Sequence, residues 1–231
     1  NTNPSLNIIL NSDSSKAYST YYAYSCGLTG TLDISGLTGL SGTFQVNSNT
    51  YLNYILNPST SGIFTHYYAN TCGLMDTLDL RPLRGLGGQI RLFSNPSLNT
   101  ILNPDSSQAI STYYAYDCSL NGTLDVSCLT KFGGDFRSYS NLNLQNILLP
   151  DLSTNLYNFK AQDCSLTSSC IDDILGKLDA WYLFSTPTQD LSVNLMGIKM
   201  GKATSDGSLH VTSLLSTFIS AGKVARIDVS I

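Results

Sequence analysis

Six cysteines, two histidines and sixteen acids carry the chemistry this sequence could perform, and every acid is Asp. Six cysteines suggest disulfides, a metal site or a thiol nucleophile held by a histidine. No CxxC or HxxxH spacing supports a metal, and no GxSxG or other catalytic signature accompanies His66 or His210. Gly85-Leu86-Gly87-Gly88 and Gly201-Lys202 do not build a phosphate loop. A polysaccharide-cleaving enzyme would need two carboxylates facing one groove. Asp117 and Asp135 are the candidates, and nothing in the spacing sets their separation. We expect no enzyme, no cofactor and no metal site.

The cysteines are placed by a repeat. Cys26, Cys72, Cys118 and Cys164 stand 46 residues apart, as do Leu28, Leu74, Leu120 and Leu166. Leu6, Leu52, Leu98 and Leu144 keep the same interval, and so do Ala23, Ala69, Ala115 and Ala161. The unit divides into halves of 23, because Asn49, Asn95 and Asn141 fall midway between the cysteines. Phe44-x-Val46-x-x-Asn49 then superposes on Tyr67-x-Ala69-x-x-Cys72. Alternation in Tyr67-Tyr68-Ala69-Asn70 sends Tyr67 and Ala69 inward and Tyr68 and Asn70 outward. Stacked turns of this kind make a parallel sheet on one face.

Large-x-small/large-x-x-Asn/Cys at a 23-residue period resembles the leucine-rich repeat, over about residues 1–186. The resemblance implies an α/β solenoid with a parallel β-sheet on the concave face and short helical turns and loops on the convex face. It is similar to bacterial-surface or phage receptor-binding modules of that family. The double repeats fall at about 1–46, 47–92, 93–138 and 139–186. Asn57-Pro58, Asn103-Pro104, Asp33 and Asp125 read as caps of the short helical turns. Gly42, Gly88 and Gly134 recur just before the next strand, where the chain bends back.

Residues 187–231 keep no cysteine and no clear 46-residue register, which predicts an atypical C-terminal capping unit. Ile171–Leu178 has helical spacing, Val211–Ala221 a short helix, and Val224–Val229 a final strand. Asn1 enters in the middle of an Asn-type turn. The expectation is a processed chain or fragment: either upstream sequence was removed, or another subunit covers that N-terminal edge.

The repeat judges the cysteines. Turns lie ~4.8 Å apart, so cysteines on every second turn are ~9.6 Å apart, beyond the ~7 Å Cα limit for a disulfide. Cys26, Cys72, Cys118 and Cys164 form a buried thiol ladder, and Cys128 and Cys170 are expected free as well. The Asp33, Asp79 and Asp125 column is too widely spaced for one calcium ion and suits capping.

The outward columns carry the binding expectation. One reads Tyr22, Gln45, Tyr68, Arg91, Tyr114, Arg137, Lys160; the next reads Tyr24, Asn47, Asn70, Phe93, Tyr116, Tyr139, Gln162. Aromatic and Arg side chains are the common anchors of recognition surfaces. Repeated tyrosines also stabilise a sheet by cross-strand contact alone. The inward Ala and Cys stay fixed while the outward positions vary, which favours recognition. We take Tyr22, Tyr24, Tyr68, Asn70, Arg91, Phe93, Tyr114, Tyr116, Arg137, Tyr139 and Lys160 as the candidate ligand-binding residues.

Apolar residues make up 42% and charged residues 12%, about half the usual quarter. The net charge of −4 leaves no nucleic-acid footprint. No apolar run approaches the ~18 residues of a membrane helix, so no membrane insertion is expected. The function expected is adhesion or recognition at an extracellular, cell-surface or virion-surface location, with a glycan or surface protein as partner. The alternative is a spike, stalk or filament subunit that stacks through its open N-terminal turn.

Overall fold

The 23-residue alternation becomes a parallel β-solenoid. The computed structural model describes residues 14–58, 64–83, 85–151, 153–183, 187, 189–196 and 203–229. Its first strands are β1 (Ser14–Tyr22), β2 (Thr29–Asp33), β3 (Leu37–Gln45), β4 (Tyr51–Leu56), β5 (Phe64–Tyr68) and β6 (Met75–Asp79). Then come β7 (Gly88–Arg91), β8 (Ser97–Leu102), β9 (Ser106–Tyr114), β10 (Asn121–Asp125) and β11 (Leu129–Arg137). The order closes with β12 (Asn143–Leu148), β13 (Ser153–Lys160), α1 (Ser168–Leu183), β14 (Leu191–Leu195), α2 (Ser205–Ser220) and β15 (Ala225–Val229).

One nine-stranded parallel sheet runs β1-β3-β5-β7-β9-β11-β13-β14-β15. Its inward residues form two columns. Phe44, Tyr67, Ile90, Tyr113, Phe136 and Phe159 are one, and Val46, Ala69, Leu92, Ala115, Ser138 and Ala161 the other; all are completely buried. Large rings stack within the first column, with centroids 4.8 Å apart for Phe44–Tyr67 and 4.7 Å for Phe136–Phe159. Each such buried ring contributes roughly 1.5–3 kcal/mol of hydrophobic stabilisation. The second column sets the larger Val46 and Leu92 among smaller Ala and Ser side chains.

The opposite side corrects the expectation of short helical turns. Among the described residues it carries the strand pairs β2-β4, β6-β8 and β10-β12. Only three residues separate β2 from β3. That length holds a single turn, closed by Leu37 N–H donating to the Ile34 carbonyl at 3.0 Å. The supposed helix caps are therefore something else. Asp33 accepts from the Ser35 amide at 2.9 Å and hydroxyl at 2.6 Å, as an Asx-turn does. Asn57 and Asn103 tie the two sides together: each accepts from an inward tyrosine, Tyr67 or Tyr113, at 3.0 and 3.1 Å. Each also donates to the next turn, to the Asp79 and Asp125 carbonyls.

Gly42 and Gly88 do not precede a strand; they lie at register shifts inside or at the start of β3 and β7, and Gly134 does the same in β11. Gly88 has φ +62°, and a Cβ there would sit 2.0 Å from the Thr65 carbonyl oxygen of the preceding turn. Only glycine allows that approach.

The Asn and Cys positions form a single ladder. Asn49 accepts from the Cys26 and Leu28 amides at 2.9 and 3.1 Å and donates to the Ala23 and Val46 carbonyls at 2.8 and 2.6 Å. Cys72 donates to the Val46 carbonyl at 3.3 Å. All six cysteines are free thiols. Just before this ladder the backbone turns left-handed once per coil. Ser25, Ser48, Thr71, Ser94, Asp117, Ser140 and Asp163 have φ from 51° to 62°.

After β13 the sheet continues with helical crossovers. The α1 face of Ile171, Ile174, Leu175, Leu178 and Tyr182 is buried. Trp181 Nε1 donates to the Asp151 carbonyl at 3.2 Å, and Lys177 pairs with Asp151. Helix α2 starts at the Thr204 N-cap. Asp172 accepts from the Thr204 amide and hydroxyl at 3.0 and 2.6 Å, and Asp179 from His210 Nδ1 at 2.8 Å, which docks α2 on α1. The expected Ile171–Leu178 helix lies within α1, and the expected Val211–Ala221 helix and Val224–Val229 strand overlap α2 and β15 but for one residue each, Ala221 and Val224.

Candidate ligand-binding face

Strand register decides which side chains share a surface. The pairs Tyr22↔Gln45, Gln45↔Tyr68, Tyr68↔Arg91, Arg91↔Tyr114, Tyr114↔Arg137 and Arg137↔Lys160 reproduce the first outward column. The second follows from backbone bonds one residue past each member, such as Ser94 N–H to the Tyr116 carbonyl and Asp117 N–H to the Tyr139 carbonyl. Tyr22 is exposed, and the other ten candidate residues are half-buried.

The side chains gather into two unequal groups. Tyr22 and Tyr24 meet edge-on at 6.5 Å at one end. The Asn70 side-chain amide donates to the neighbouring Thr71 hydroxyl at 3.4 Å. The rest forms a continuous cluster. Phe93, Tyr116 and Tyr139 stack face to face, with centroids 4.6 and 4.4 Å apart and planes within 7° and 9°. Beside them Tyr68, Arg91, Tyr114 and Arg137 alternate ring and cation. Arg91 lies 5.0 Å from the Tyr68 ring and 5.8 Å from the Tyr114 ring, and Arg137 lies 4.7 Å from the Tyr114 ring. Lys160 closes this column.

A third outward column, two residues before the first, escaped the sequence reading. It holds His66, Gln89, Thr112, Asp135 and Asn158 in register. The same 23-residue interval marks it in the sequence. Asp135, 5% exposed, is its centre. Its carboxylate accepts from Tyr114 Oη at 2.7 Å, Arg137 Nε and Nη2 at 3.0 and 2.6 Å, and Asn158 Nδ2 at 2.7 Å. Four donors leave this carboxylate saturated, so it orients Tyr114 and Arg137 and has no lone pair turned to a groove. Burial and the bond to Asp135 push the Tyr114 hydroxyl up to about 12. Asp117 sits instead in an exposed left-handed turn.

The other candidate groups are engaged elsewhere. His66 Nδ1 bonds the Thr65 hydroxyl at 2.9 Å, and burial, then the Arg91 charge, lowers its pKa. His210 belongs to the α1–α2 contact. Burial pushes the Cys72 thiol up to about 11 and the Cys118 and Cys164 thiols up to about 12. Thiols held neutral in this way are poor nucleophiles and poor metal ligands. Among the described residues no group of His, Cys and Asp is arranged to hold a metal ion.

A cavity of about 370 Å³ lies between α1 and β12, lined by Ser127, Ile147, Leu149, Ile174 and Lys177, apart from the outward columns. Among the described residues no helix is long and apolar enough to cross a membrane. The N-terminal turn expected to stack on another subunit falls on residues 1–13, outside the described residues. No family model matches the chain, and neither the curated proteins nor the solved structures searched contain a match.

Proposed function

We propose that the chain is a non-enzymatic recognition and adhesion module, working outside a cell or on a virion surface. It holds its ligand against the outward face of the nine-stranded sheet. The observation that carries this reading is the buried Asp135 network, which fixes Tyr114 and Arg137 before any ligand arrives. Preorganised side chains lose little entropy on binding. The leucine-rich repeat resemblance, in which the strand face is the binding face, supports the same side, and residues 187–231 serve as the closing unit.

The side chains favour a glycan over a surface protein. In the two predicted columns Phe93 alone lacks a hydrogen-bonding group. The faces of Tyr116 are covered by its neighbours in the stack, so a ligand meets ring edges and hydroxyls rather than open rings. Hydroxyls, amides and guanidinium groups in rows suit a polyhydroxylated chain.

The test is binding of labelled protein to whole cells and to a glycan panel. Tyr114 and Arg137 are unsuitable targets, since removing either strands part of a buried carboxylate. Tyr116→Ala/Tyr139→Ser leaves Asp135 untouched. We expect a signal that falls at least tenfold in this double variant, with the circular dichroism spectrum kept. No signal on any cell or glycan, or one the double variant retains, overturns the proposal.

A further inference from the structure

We propose that Arg91 is the seat of a carboxylate on an acidic glycan; the inference rests on the recognition reading and names the ligand's charge. Among the described residues Arg81, Arg137 and Arg226 each hold a carboxylate, at 2.8, 2.6 and 2.9 Å. Arg91 holds none, and its buried Nε makes no hydrogen bond. This guanidinium stands between two tyrosine rings, at 5.0 and 5.8 Å. Tyr68 lies on one side and Tyr114 on the other.

Both walls are fixed. Tyr68 Oη donates to Gln89 Oε1 at 2.8 Å, and Tyr114 Oη donates to Asp135 at 2.7 Å. With Nε covered and a ring on either side, the two terminal Nη groups are the donors left to meet a partner. The partner that fits a planar fork of donors is a carboxylate bound through two parallel bonds. The neighbouring cation cannot compete for it, because Arg137 is already neutralised by Asp135. Around Arg91 the face offers amides, in Gln89 and Asn70, and tyrosine hydroxyls. That surrounding suits the hydroxyls of a uronic or sialic acid better than the apolar flanks of an acidic peptide.

The experiment compares two matched pairs by calorimetry: tetragalacturonate with its methyl ester, and sialyllactose with lactose. Variants Arg91→Gln and Arg91→Lys run beside the native protein, together with Tyr116→Ala/Tyr139→Ser. Gln45 already holds the place of Arg91 one double repeat earlier, so the fold accepts R91Q. We expect at least one acidic probe to bind at least tenfold more tightly than its neutral partner. R91Q should abolish that difference, and R91K should keep only part of it, having the charge without the fork.

An acid–neutral difference that survives in R91Q overturns the proposal, as does its absence from the native protein. Binding of neutral probes that the Tyr116/Tyr139 variant loses, without any gain from a carboxylate, overturns the Arg91 inference and leaves the recognition face standing. Failure of every oligosaccharide overturns the Arg91 inference, and the recognition reading falls with it only if whole cells give no signal either; a poly-aspartate peptide that binds and is lost in R91Q would overturn the glycan assignment and leave the recognition face standing.

Discussion

Asn49 and Cys72 make the same backward hydrogen bond in successive turns. Asn49 Nδ2 donates to the Ala23 carbonyl at 2.8 Å, and Cys72 Sγ donates to the Val46 carbonyl at 3.3 Å, each reaching back across 26 residues. The amide does more, since its oxygen also takes the Cys26 and Leu28 amides. Thiol and amide alternate because a weak, small donor suffices at one coil if a stronger one stands at the next.

This relationship predicts an asymmetry. Asn95 is completely buried and bonds the Leu74 amide and the Ala69 and Leu92 carbonyls. Asn95→Ala leaves these groups unpaired and should cost about 3 kcal/mol or more, at roughly 1–3 kcal/mol for each buried unsatisfied group. Asn95→Cys restores a donor and should cost less. Urea unfolding of the two variants orders them; an equal loss would refute the equivalence.

Stability should fall with alkali. Cys72, Cys118 and Cys164 are raised from 9.0 to about 11, 12 and 12, and Tyr114 from 10.0 to about 12. The folded protein therefore keeps protons that the unfolded chain releases, and stability declines with rising pH. The contribution is whole below pH 9 and is lost as pH rises through 12. Urea midpoints at pH 8 and pH 11 measure it, and a midpoint that holds or rises would contradict the burial of these groups.

Two glycines separate clash from backbone strain. Gly88 and Gly30 have similar φ, +62° and +65°, but a Cβ at Gly88 meets the Thr65 oxygen at 2.0 Å while Gly30 has nothing within 4 Å. Gly30→Ala should cost only the left-handed penalty, about 1–2 kcal/mol. Gly88→Ala must move a neighbouring strand and should cost at least about 3 kcal/mol. Thermal unfolding of both variants distinguishes them.

Asp135 should behave as a structural carboxylate. Asp135→Asn turns an amide donor toward Tyr114 or Arg137 and should cost about 3 kcal/mol, as breaking a buried ion pair does. Asp117→Asn, at an exposed left-handed position that asparagine favours, should stay within about 0.5 kcal/mol of the native protein. Chemical denaturation decides; equal effects would remove Asp135 from the centre of the network.

Much of this was legible in the repeat. The first outward column, from Tyr22 to Lys160, matches the sheet register at every step because nothing interrupts the 23-residue period there. The strands β2, β6 and β10 were not legible. Each has one buried residue, Leu32, Leu78 or Leu124, so no alternation marks it, and the following Asp imitates a helix cap. The role of Asp135 was hidden for another reason: its partners Tyr114 and Asn158 come from adjacent turns, 21 and 23 residues away. The continuation of the sheet into β14 and β15 was masked by α1 and α2, which break the period without breaking the pairing.

The left-handed residue in every coil has a further meaning. Ser25, Ser48, Thr71, Ser94, Asp117, Ser140 and Asp163 hold φ near +55°; Asp takes this conformation as Asn does, whereas the five Ser and Thr residues do so at a cost. At about 1 kcal/mol each, the strain at these five positions reaches the lower end of the margin by which ordinary domains stay folded. The chain thus carries a reserve of improvable positions in a straight line. Asparagine at the five Ser and Thr positions is the direction in which this topology leaves room for added stability.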